Sequence, residues 1–543
     1  MSRGSETLVD NDPYRPVADP EQVRAAALRD RMVRPMPADR AWAWVGMLFV
    51  GAVAAVLRLV DLGRPNRVIF DETYYAKDAF SLLQFGYARG FVDGADDLIV
   101  AGDLDVFTDD PSFVVHPPGG KWLIAGGLQL LGMEPAGWRL ASALAGVVTA
   151  MIVVLAGRRL FRSTLLGTLA GLLVALDGMS IAVSRVAILD GILAMFVAAA
   201  FAFLLIDRDQ ARARYAEWAV NLPGPVSRRE VGPLVAWRPW RLATGVALGL
   251  ACATKWSGVF ALVAFGLLTV AWEVGARRTA GVPSVWTGAL AKDGPFAFLT
   301  VTVPAAATYL ASWSGWIASD NSYGRHWAEH NSPSLLGAMV PDWLRSLWHY
   351  HDEILYFHRT LGAPHDYESP AWGWLLLTRP VSFSYVGLER GEQGCMADQC
   401  SQEILALGNP VLWWGACAAL IGCLWMWLAR RDWRAGAILA GLLATWVPWL
   451  FFPGRTTFAF YAVAIVPFLA LAVAYALGLI LGPRDAPPLR RTVGAAAAGA
   501  YVLLVIVVAA YFYPIQVDAM ITYDQWWERM WPNRWGWSYF NWV

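Results

Sequence analysis

The chain has 543 residues, of which 57% are hydrophobic and only 16% are charged, and 30 of them are tryptophan. Soluble globular proteins carry about 25% charged residues, so this composition indicates a membrane protein rather than an ordinary soluble domain. The formal net charge is zero, which gives no support to a nucleic-acid partner.

Apolar runs dominate the chain after a polar start. The first forty residues are polar and rich in arginine, with no visible cleavable signal peptide, and they predict a tail. The segment 121–132 is too short to cross a bilayer and is interpreted as an interfacial or re-entrant helix. An all-α polytopic membrane protein with about eleven transmembrane helices is therefore predicted, with spans near residues 41–60, 138–157, 164–182, 187–206, 241–255, 257–275, 295–315, 408–429, 435–452, 457–481 and 492–512.

Basic residues in the short connections predict the orientation of these spans. Arginine and lysine cluster at 158–162, 277–292 and 430–434, and eleven spans put all three clusters on the side of the N-terminus. Since such clusters favour the cytoplasm, the N-terminus is predicted to be cytoplasmic and the C-terminus extracytoplasmic. The loop 61–136, with twelve acidic and five basic residues, then lies outside.

The same map divides the chain into five parts. Amphipathic surface helices are expected in the two large outside loops, one of them over residues 347–361. The parts are a cytoplasmic tail (1–40), an N-terminal transmembrane part that contains the outside loop 61–136 (41–315), an extracytoplasmic loop (316–407), C-terminal transmembrane helices (408–512) and an extracytoplasmic Trp-rich tail (513–543).

Cysteine and aromatic residues add two expectations for the outer face. Cys395 and Cys400 lie in the loop 316–407, where an oxidising compartment favours a disulfide. A metal pair is the alternative, but the sequence has no second cysteine pair to complete such a site. The rings of the tail 513–543 fit an aromatic belt at the membrane interface or a groove for an acceptor or lipid.

Ionisable residues at or inside the span ends concentrate on this predicted outer face. An Arg or Asp at the centre of a membrane helix costs about 2.5–3.5 kcal/mol, so such groups usually pair or serve a site. Snorkelling or a structural ion pair explains any single one, but convergence from several separated stretches indicates a site. The residues are Arg58, Asp71, Glu72, His116, Lys121, Arg139, Arg185, Asp190, Lys255 and Arg455.

The mixture of charges indicates a chemistry. Arginine and lysine side chains form charge-assisted hydrogen bonds with phosphate. A neighbouring carboxylate suits a general base. Together they fit a lipid-linked phosphate whose attached group is transferred to a hydroxyl outside the membrane.

Four motifs in order carry a resemblance to a known family. "FDETYYAKDA" in the first outside loop, "HPPGGKW" (116–122), "SRVAILDGIL" (184–193) and "TKWSGVF" (254–260) resemble those of the protein O-mannosyltransferases, most closely the actinobacterial members. The likeness runs from about residue 41 to the C-terminus. Eukaryotic members carry a β-trefoil in the large later loop, and 316–407 is too short and too helical for one, so any acceptor selection by that insertion is absent.

The resemblance implies a reaction and its participants. Mannose would pass from a polyprenyl-phosphate-mannose donor, with inversion, to Ser or Thr of exported proteins at the outer face of the cell membrane. Besides donor, acceptor and membrane lipids, the protein export machinery is a possible partner, and no cofactor is expected. The alternatives are transfer of a lipid-phosphate sugar to a glycolipid or cell-wall glycan, and a transporter, which the lack of an internal repeat disfavours.

The resemblance and the residue chemistry together assign roles. Asp71 takes the place of the catalytic base, and Glu72 is its neighbour that orients the site or acceptor. The candidates for binding the donor phosphate are Arg139, Arg185, Lys255, Arg455 and Arg58. The residues expected near donor or acceptor are His116, Lys121, Asp190, His349 and His351.

The spacing of two other histidines permits a metal site but does not favour one. His326 and His330 are four residues apart, as two ligands on one helical face would be. Zinc needs at least a third protein ligand, and no such ligand stands at motif spacing, so no metal is predicted.

Overall fold

The computed structural model describes residues 20–222, 227–333, 335, 337–483 and 485–543. Residues 1–19 of the expected cytoplasmic tail lie outside this range. Within it the chain is mostly helical, and eight helices are long and apolar enough to cross a membrane, or nine if one bent pair counts as a single span. A polytopic helical fold is thus confirmed, while the count of eleven spans and their orientation stay predictions.

The first half of the chain supplies the helices that carry most of the predicted site residues. Pro135 lies in the first turn of a 27-residue apolar helix, where its missing N–H costs no hydrogen bond. Arg158 and Arg159 lie in the last turn of this helix, where cations interact favourably with the helix dipole. These helices are α1 (Pro20–Met32), α2 (Arg40–Leu59), α3 (Glu72–Phe85), α4 (Ala95–Ala101), α5 (Gly119–Leu131), α6 (Pro135–Phe161), α7 (Thr164–Ala175), α8 (Gly178–Ser184) and α9 (Leu189–Val220).

A break divides the predicted span 164–182. Helices α7 and α8 meet at an angle of 59°. Asp177 lies at the break and caps α8, since its carboxylate accepts a hydrogen bond from the backbone N–H of Ser180 at 2.9 Å. The same carboxylate accepts from Trp413 Nε1 at 2.7 Å, which fixes the bend against the C-terminal half. The bend leads the chain to Arg185 and to the start of α9.

The middle of the chain contains the turn predicted at Lys255 and Trp256. One helix ends at Thr254 and the next begins at Gly258. A 19-residue helix of the loop 316–407 buries Leu347, Tyr350 and Ile354 on one face, as an amphipathic helix does. These helices are α10 (Pro239–Thr254), α11 (Gly258–Thr279), α12 (Val285–Gly288), α13 (Gly294–Ser312), α14 (Ser314–Ala318), α15 (Asp342–Thr360) and α16 (Ala371–Trp374).

The last part of the chain packs on the first half. The predicted span 435–452 is a 13-residue helix followed by a 3-10 turn over Val447–Phe451, because Pro448 cannot continue the hydrogen-bond pattern of an α-helix. The helix Val466–Leu481 is buried on nearly all sides and lies in the centre of the core. These helices are α17 (Pro410–Arg430), α18 (Trp433–Thr445), α19 (Val466–Leu481), α20 (Pro488–Phe512), α21 (Tyr523–Arg529) and α22 (Trp531–Arg534).

Two small antiparallel sheets correct the expectation of an all-α protein and of a purely helical loop 316–407. Alternation of apolar and serine residues in "VSFSY" favours the strand that begins at Val381. Its hairpin contains the disulfide between Cys395 and Cys400, and the last strand ties the C-terminal tail to it. The strands are β1 (Arg89–Phe91) paired with β2 (Phe107–Pro111), and β3 (Val381–Glu389), β4 (Gln399–Ala406) and β5 (Ile521–Thr522) in that order.

Candidate active site

The neighbouring acids Asp71 and Glu72 lie in different environments at the start of α3. The side chain of Asp71 is half-buried, whereas that of Glu72 is fully buried. Phe70 just before them has a left-handed backbone with φ of 49°, which is costly for a residue with a bulky side chain. Its ring packs on Phe383 and Phe460, with centroids 4.9 and 5.6 Å away, so tertiary contacts hold the turn that presents Asp71.

Glu72 forms a closed ion pair with Arg139. Arg139 Nε donates to Glu72 Oε1 at 2.7 Å, and Arg139 Nη2 donates to Oε2 at 2.9 Å. The carboxylate also accepts from the backbone N–H groups of Ala187 and Ile69. The remaining guanidinium donors bind the carbonyl oxygens of Leu62, Pro65 and Arg67. Glu72 and Arg139 therefore fasten the loop before Asp71 to α6 and to the start of α9.

Three other predicted cations also have protein partners. Lys121 Nζ forms an ion pair with Asp78 at 2.9 Å. Arg185 donates to the carbonyl oxygens of residues 58, 60 and 61. Arg58 is fully buried and donates to Ser180, Ser184 and the carbonyl oxygens of residues 174 and 175. Arg58 and Arg185 thus fix the ends of α2 and α8, and Lys121 joins α5 to α3.

A second ion pair lies beside Asp71. Lys255 Nζ donates to both oxygens of Asp190, at 2.9 and 3.0 Å, and it sits 4.0 Å from the ring centroid of Tyr461. The Asp71 carboxylate interacts with both members of this pair and with the hydroxyl of Tyr75, one helical turn along α3. The structure thus brings together three predicted site residues from α3, α9 and the turn before α11.

The surroundings of Asp71 raise the pKa of its carboxyl group to about 6. Burial is the main cause, because a charged carboxylate is poorly solvated there. The positive charge of Lys255 opposes this effect, while the negative charge of Asp190 adds to it. Among the residues that the structure describes, Asp71 has no salt bridge, so its charge is only partly compensated.

His116 connects this cluster to Arg455. Its ring stacks on that of His358, with centroids 5.3 Å apart, and lies 6.0 Å from the ring of Tyr75. His358 Nε2 donates to a backbone carbonyl at 3.1 Å, and its Nδ1 accepts from Arg455 Nη2 at 3.3 Å. Burial lowers the pKa of both rings, that of His358 to about 4, so both are neutral near pH 7.

The other two predicted histidines lie in α15 at different positions. His351 hydrogen-bonds the hydroxyl of Tyr309 at 2.7 Å and stacks on Trp256, next to Lys255. His349 stacks on Trp327 with centroids 4.2 Å apart, on another face of the helix. His351 therefore supports the wall behind the cluster, and His349 does not reach it.

Three neighbours of Asp71 or Arg455 were not predicted as site residues. Tyr75 is four residues after Asp71, and helical spacing alone would have placed it beside the carboxylate. His358 follows His351 by seven residues, which is two helical turns and hence the same face. Tyr461 has no such signal, because a distant helix brings its ring to Lys255.

Two open spaces adjoin the cluster. An apolar crevice, which Leu193, Phe260, Ala261 and Ala464 line, reaches Asp190 and Tyr461 at its polar end. A pocket of about 510 Å³ includes Arg455, together with Glu368, Ser369, Trp372, Phe452 and Thr456. Within the described part of the chain, no group of three or more His, Cys, Asp or Glu residues is arranged to hold a metal ion.

Comparison with known families identifies the chain. A family profile described as dolichyl-phosphate-mannose-protein mannosyltransferase matches residues 116–283. A second, described as the C-terminal four TMM region of protein-O-mannosyltransferase, matches residues 343–535. Together the two profiles cover both halves of the core that surrounds Asp71.

Relatives of similar length agree with these profiles. The chain is 39% identical to a polyprenol-phosphate-mannose–protein mannosyltransferase of Mycolicibacterium smegmatis over 92% of this chain and 94% of the relative. It is 36% identical to that of Mycobacterium tuberculosis (92% and 93% covered) and 30% identical to that of Corynebacterium glutamicum (85% and 88%). The yeast Pmt1–Pmt2 complex bound to its sugar donor shares the fold, with a TM-score of 0.66, 15% identity and 94% of each chain covered. The chain belongs to the family of polyprenol-phosphate-mannose–protein mannosyltransferases and is a multi-pass membrane glycosyltransferase.

Proposed function

We propose that this enzyme transfers mannose from a polyprenyl-phosphate-mannose donor to Ser or Thr hydroxyls of exported proteins, with inversion and with Asp71 as general base. The relatives support the donor and the protein acceptor, since their names state both. The observation that carries the role of Asp71 is its half-buried carboxylate, which has no salt bridge among the described residues and lies beside the Lys255–Asp190 ion pair.

The pKa of Asp71 suits a general base. A Ser hydroxyl is a weak nucleophile near pH 7, and a carboxylate that accepts its proton in the transition state contributes about 10²–10⁴-fold. A base with a pKa of about 6 is mostly deprotonated at neutral pH and still accepts a proton readily. Direct attack of the hydroxyl on the anomeric carbon then inverts the sugar, and no covalent enzyme intermediate is required.

Lys255 and Arg455 are the best candidates for the donor phosphate. Negative charge grows on the phosphate oxygen as the sugar–oxygen bond breaks, and cations already in position stabilise it. Arg455 is partly exposed in the open pocket, and its Nε has no hydrogen-bond partner among the described residues. Lys255 shares its charge with Asp190 and contributes less. The stacked, neutral rings of His116 and His358 lie near both Lys255 and Arg455.

Five further residues of the predicted site receive structural roles in this proposal. Glu72 positions the base through the turn before α3 and does not touch the acceptor. Arg139 holds the same turn, whereas Arg58 and Arg185 hold the ends of α2 and α8, because their donors bind protein oxygens. Lys121 is neutralised by Asp78.

The apolar crevice and the loop charges support a membrane arrangement. The crevice that ends at Asp190 and Tyr461 holds about one water molecule, so we propose only that the polyprenyl chain reaches the cluster from this apolar side. We propose that the segments 61–136, 316–407 and 513–543 lie outside the cell membrane, with 1–40 in the cytoplasm, so that the active site faces the exported acceptor. The disulfide between Cys395 and Cys400 fits an oxidising compartment.

Asp71→Asn tests the proposal directly. We expect transfer of labelled mannose to a Ser/Thr-rich peptide to fall by about 10²–10⁴-fold, with normal amounts of membrane-inserted protein. Asp110→Asn is the matched control, since it removes an exposed carboxylate from the same loop. Transfer by Asp71→Asn at the rate of the control would refute the assigned base. Replacing the peptide by a glycolipid in the same assay distinguishes the two acceptor classes.

A further inference from the structure

A second group of charged residues lies at the far end of the membrane-spanning part of α9 from the active site. Arg208 follows Asp190 by 18 residues in this helix, which corresponds to about 27 Å along its axis. The hydrocarbon core of a bilayer is about 30 Å thick, so Arg208 lies near the opposite membrane boundary from Asp190.

Part of this group is an ion-pair network with balanced charges. Arg238 donates to both oxygens of Asp207, at 2.7 and 2.5 Å, and to Glu273 at 2.6 Å. Arg241 donates to Glu273 at 2.6 Å and lies 3.4 Å from Asp207. Two carboxylates and two guanidinium groups compensate one another here, which accounts for this part as structure.

The adjacent part has an excess of positive charge. Asp209 accepts from Arg159 at 2.6 Å and from Arg162 at 2.8 Å, and it is also the nearest carboxylate to Arg208. Arg212 lies close by and donates to a backbone carbonyl of α1. Among the described residues, Asp209 is thus the one carboxylate that pairs with Arg159, Arg162 and Arg208, and uncompensated charges in a largely buried place attract an anion.

Arg208 is the member of this group with free donors. Its side chain is only 8% exposed, and its Nη1 is 3.7 Å from Asp209, too far for a hydrogen bond. Its guanidinium lies 3.4 Å from the ring centroid of Trp433 and 5.6 Å from that of Trp272. Contacts with ring faces use the face of the guanidinium and leave its N–H edge free. No other residue that the structure describes accepts a hydrogen bond from it.

A pocket adjoins this guanidinium. Arg208, Arg212 and Arg238 line it together with Thr269 and Trp272, and so do the carboxylates of Asp207 and Glu273, which pair with Arg238 and Arg241. One oxygen of Glu273, Oε2, has no hydrogen-bond partner among the described residues. The pocket therefore offers the N–H edge of Arg208 beside the ring of Trp272, in a lining of three arginines and two carboxylates.

We propose that this pocket binds the phosphate group of an anionic phospholipid in the membrane leaflet opposite the active site. Arginine forks are well suited to phosphate oxygens. The depth of Arg208 and the two indoles, which favour the membrane interface, identify the source as a lipid headgroup rather than a free ion. Such a lipid would lie between α9, α11 and the start of α18, and it is separate from the donor.

Lipid retention by the full-length protein tests this site. The wild type is reconstituted in nanodiscs of equal parts phosphatidylglycerol and phosphatidylcholine, and lipids that stay bound on release into detergent are counted by native mass spectrometry. We expect the wild type to retain phosphatidylglycerol and Arg208→Gln to bind it about tenfold less tightly, as loss of a charge-assisted hydrogen bond implies. Arg278→Gln is the matched control, because Arg278 is an exposed cation in the last turn of α11.

Three outcomes would overturn the proposal. One is unchanged retention in Arg208→Gln, and another is an equal loss in Arg278→Gln, which would indicate nonspecific attraction. The third is binding of inorganic phosphate alone, measured in phosphatidylcholine nanodiscs, without retention of phosphatidylglycerol. If Arg208→Gln does not fold, Trp433→Leu keeps the charge and removes the ring that orients it, and we expect it to lose retention as well.

Discussion

The two ends of the membrane-spanning part of α9 carry similar charged residues in different proportions. At one end, Asp190 and Asp71 share a single lysine, Lys255. At the other end, Asp207 and Glu273 share two arginines that bridge them. Burial raises the pKa of Asp71 at the first end, and one lysine shared by two carboxylates does not offset this effect, so one carboxylate keeps the raised pKa that a general base requires. The proportion of cations to carboxylates, more than the presence of charge, distinguishes the reactive end from the structural one.

Removal of Asp207 should have the largest effect, and it should be an effect on folding. Asp207→Asn leaves Arg238 and Arg241 with one carboxylate in a buried site, which costs about 3–5 kcal/mol. We expect a low yield of folded protein and a lower midpoint of denaturation in detergent. The protein that does fold should keep its mannose transfer per molecule. Normal stability would show that the far network is not a structural ion-pair cluster.

The sequence predicts the positions of some of these charged residues but not the partners that they bind. Asp71, Asp190, Lys255 and His116 were predicted to lie together, because their motifs end or begin spans on one predicted face. The partners were not predictable: Arg139 binds Glu72 and not a phosphate, since three-dimensional packing decides which acceptor a buried guanidinium reaches. A cation at a span end is visible in a sequence, but its hydrogen-bond partners are not.

The limits of the fold prediction have similar causes. Hydrophobic runs located the long helices, because membrane-spanning helices need such runs. The bend at Asp177 was missed, since a capping carboxylate inside an apolar run gives no periodic signal. The hairpin β3–β4 was missed although "VSFSY" alternates, because short strands in a helix-rich chain are easily read as helix or loop.

Glu403, which lies away from the active site, offers a second case of a buried carboxylate without a cationic partner among the described residues. Its behaviour tests whether burial alone raises a pKa in this protein. Glu403 in β4 is buried against Trp526, whose Nε1 donates to it at 2.6 Å, and burial raises the pKa of its carboxyl group to about 7. Protonated Glu403 suits this site, so the stability that it contributes is present at low pH and is lost as the pH rises through about 7. Glu403→Gln should therefore stabilise the attachment of the C-terminal tail at pH 8 by about 1–3 kcal/mol.

Hydrogen exchange of the tail measures that effect. Slower exchange of residues 521–529 in Glu403→Gln than in the wild type is expected at pH 8, with little difference at pH 5. Since Glu403 lies outside the cluster around Asp71, the variant should leave the pH dependence of mannose transfer unchanged. Equal exchange at both pH values would contradict the raised pKa.

The pH dependence of kcat/KM in the wild type should reveal the pKa of Asp71. A base must be deprotonated, so kcat/KM should fall about tenfold for each pH unit below the pKa of about 6. Measurements between pH 4.5 and 8 in nanodiscs, at a fixed ionic strength, would define this acidic limb, the pH range over which kcat/KM falls. A limb near pH 4 would mean that Asp71 is an ordinary solvated carboxylate, and the distinction between the two ends of α9 would lose its chemical basis.

Asp190→Asn should produce the smallest effect, a shift of that limb. The negative charge of Asp190 raises the pKa of Asp71, and its removal also frees Lys255 to lower it further. Both changes act in one direction, so the acidic limb should move to lower pH while transfer at pH 8 changes less. The matched variant Asp207→Asn lies on the same helix and should not move the limb. A limb that stays in place in Asp190→Asn would mean that Asp71 does not sense the neighbouring pair, and that its pKa depends on burial alone.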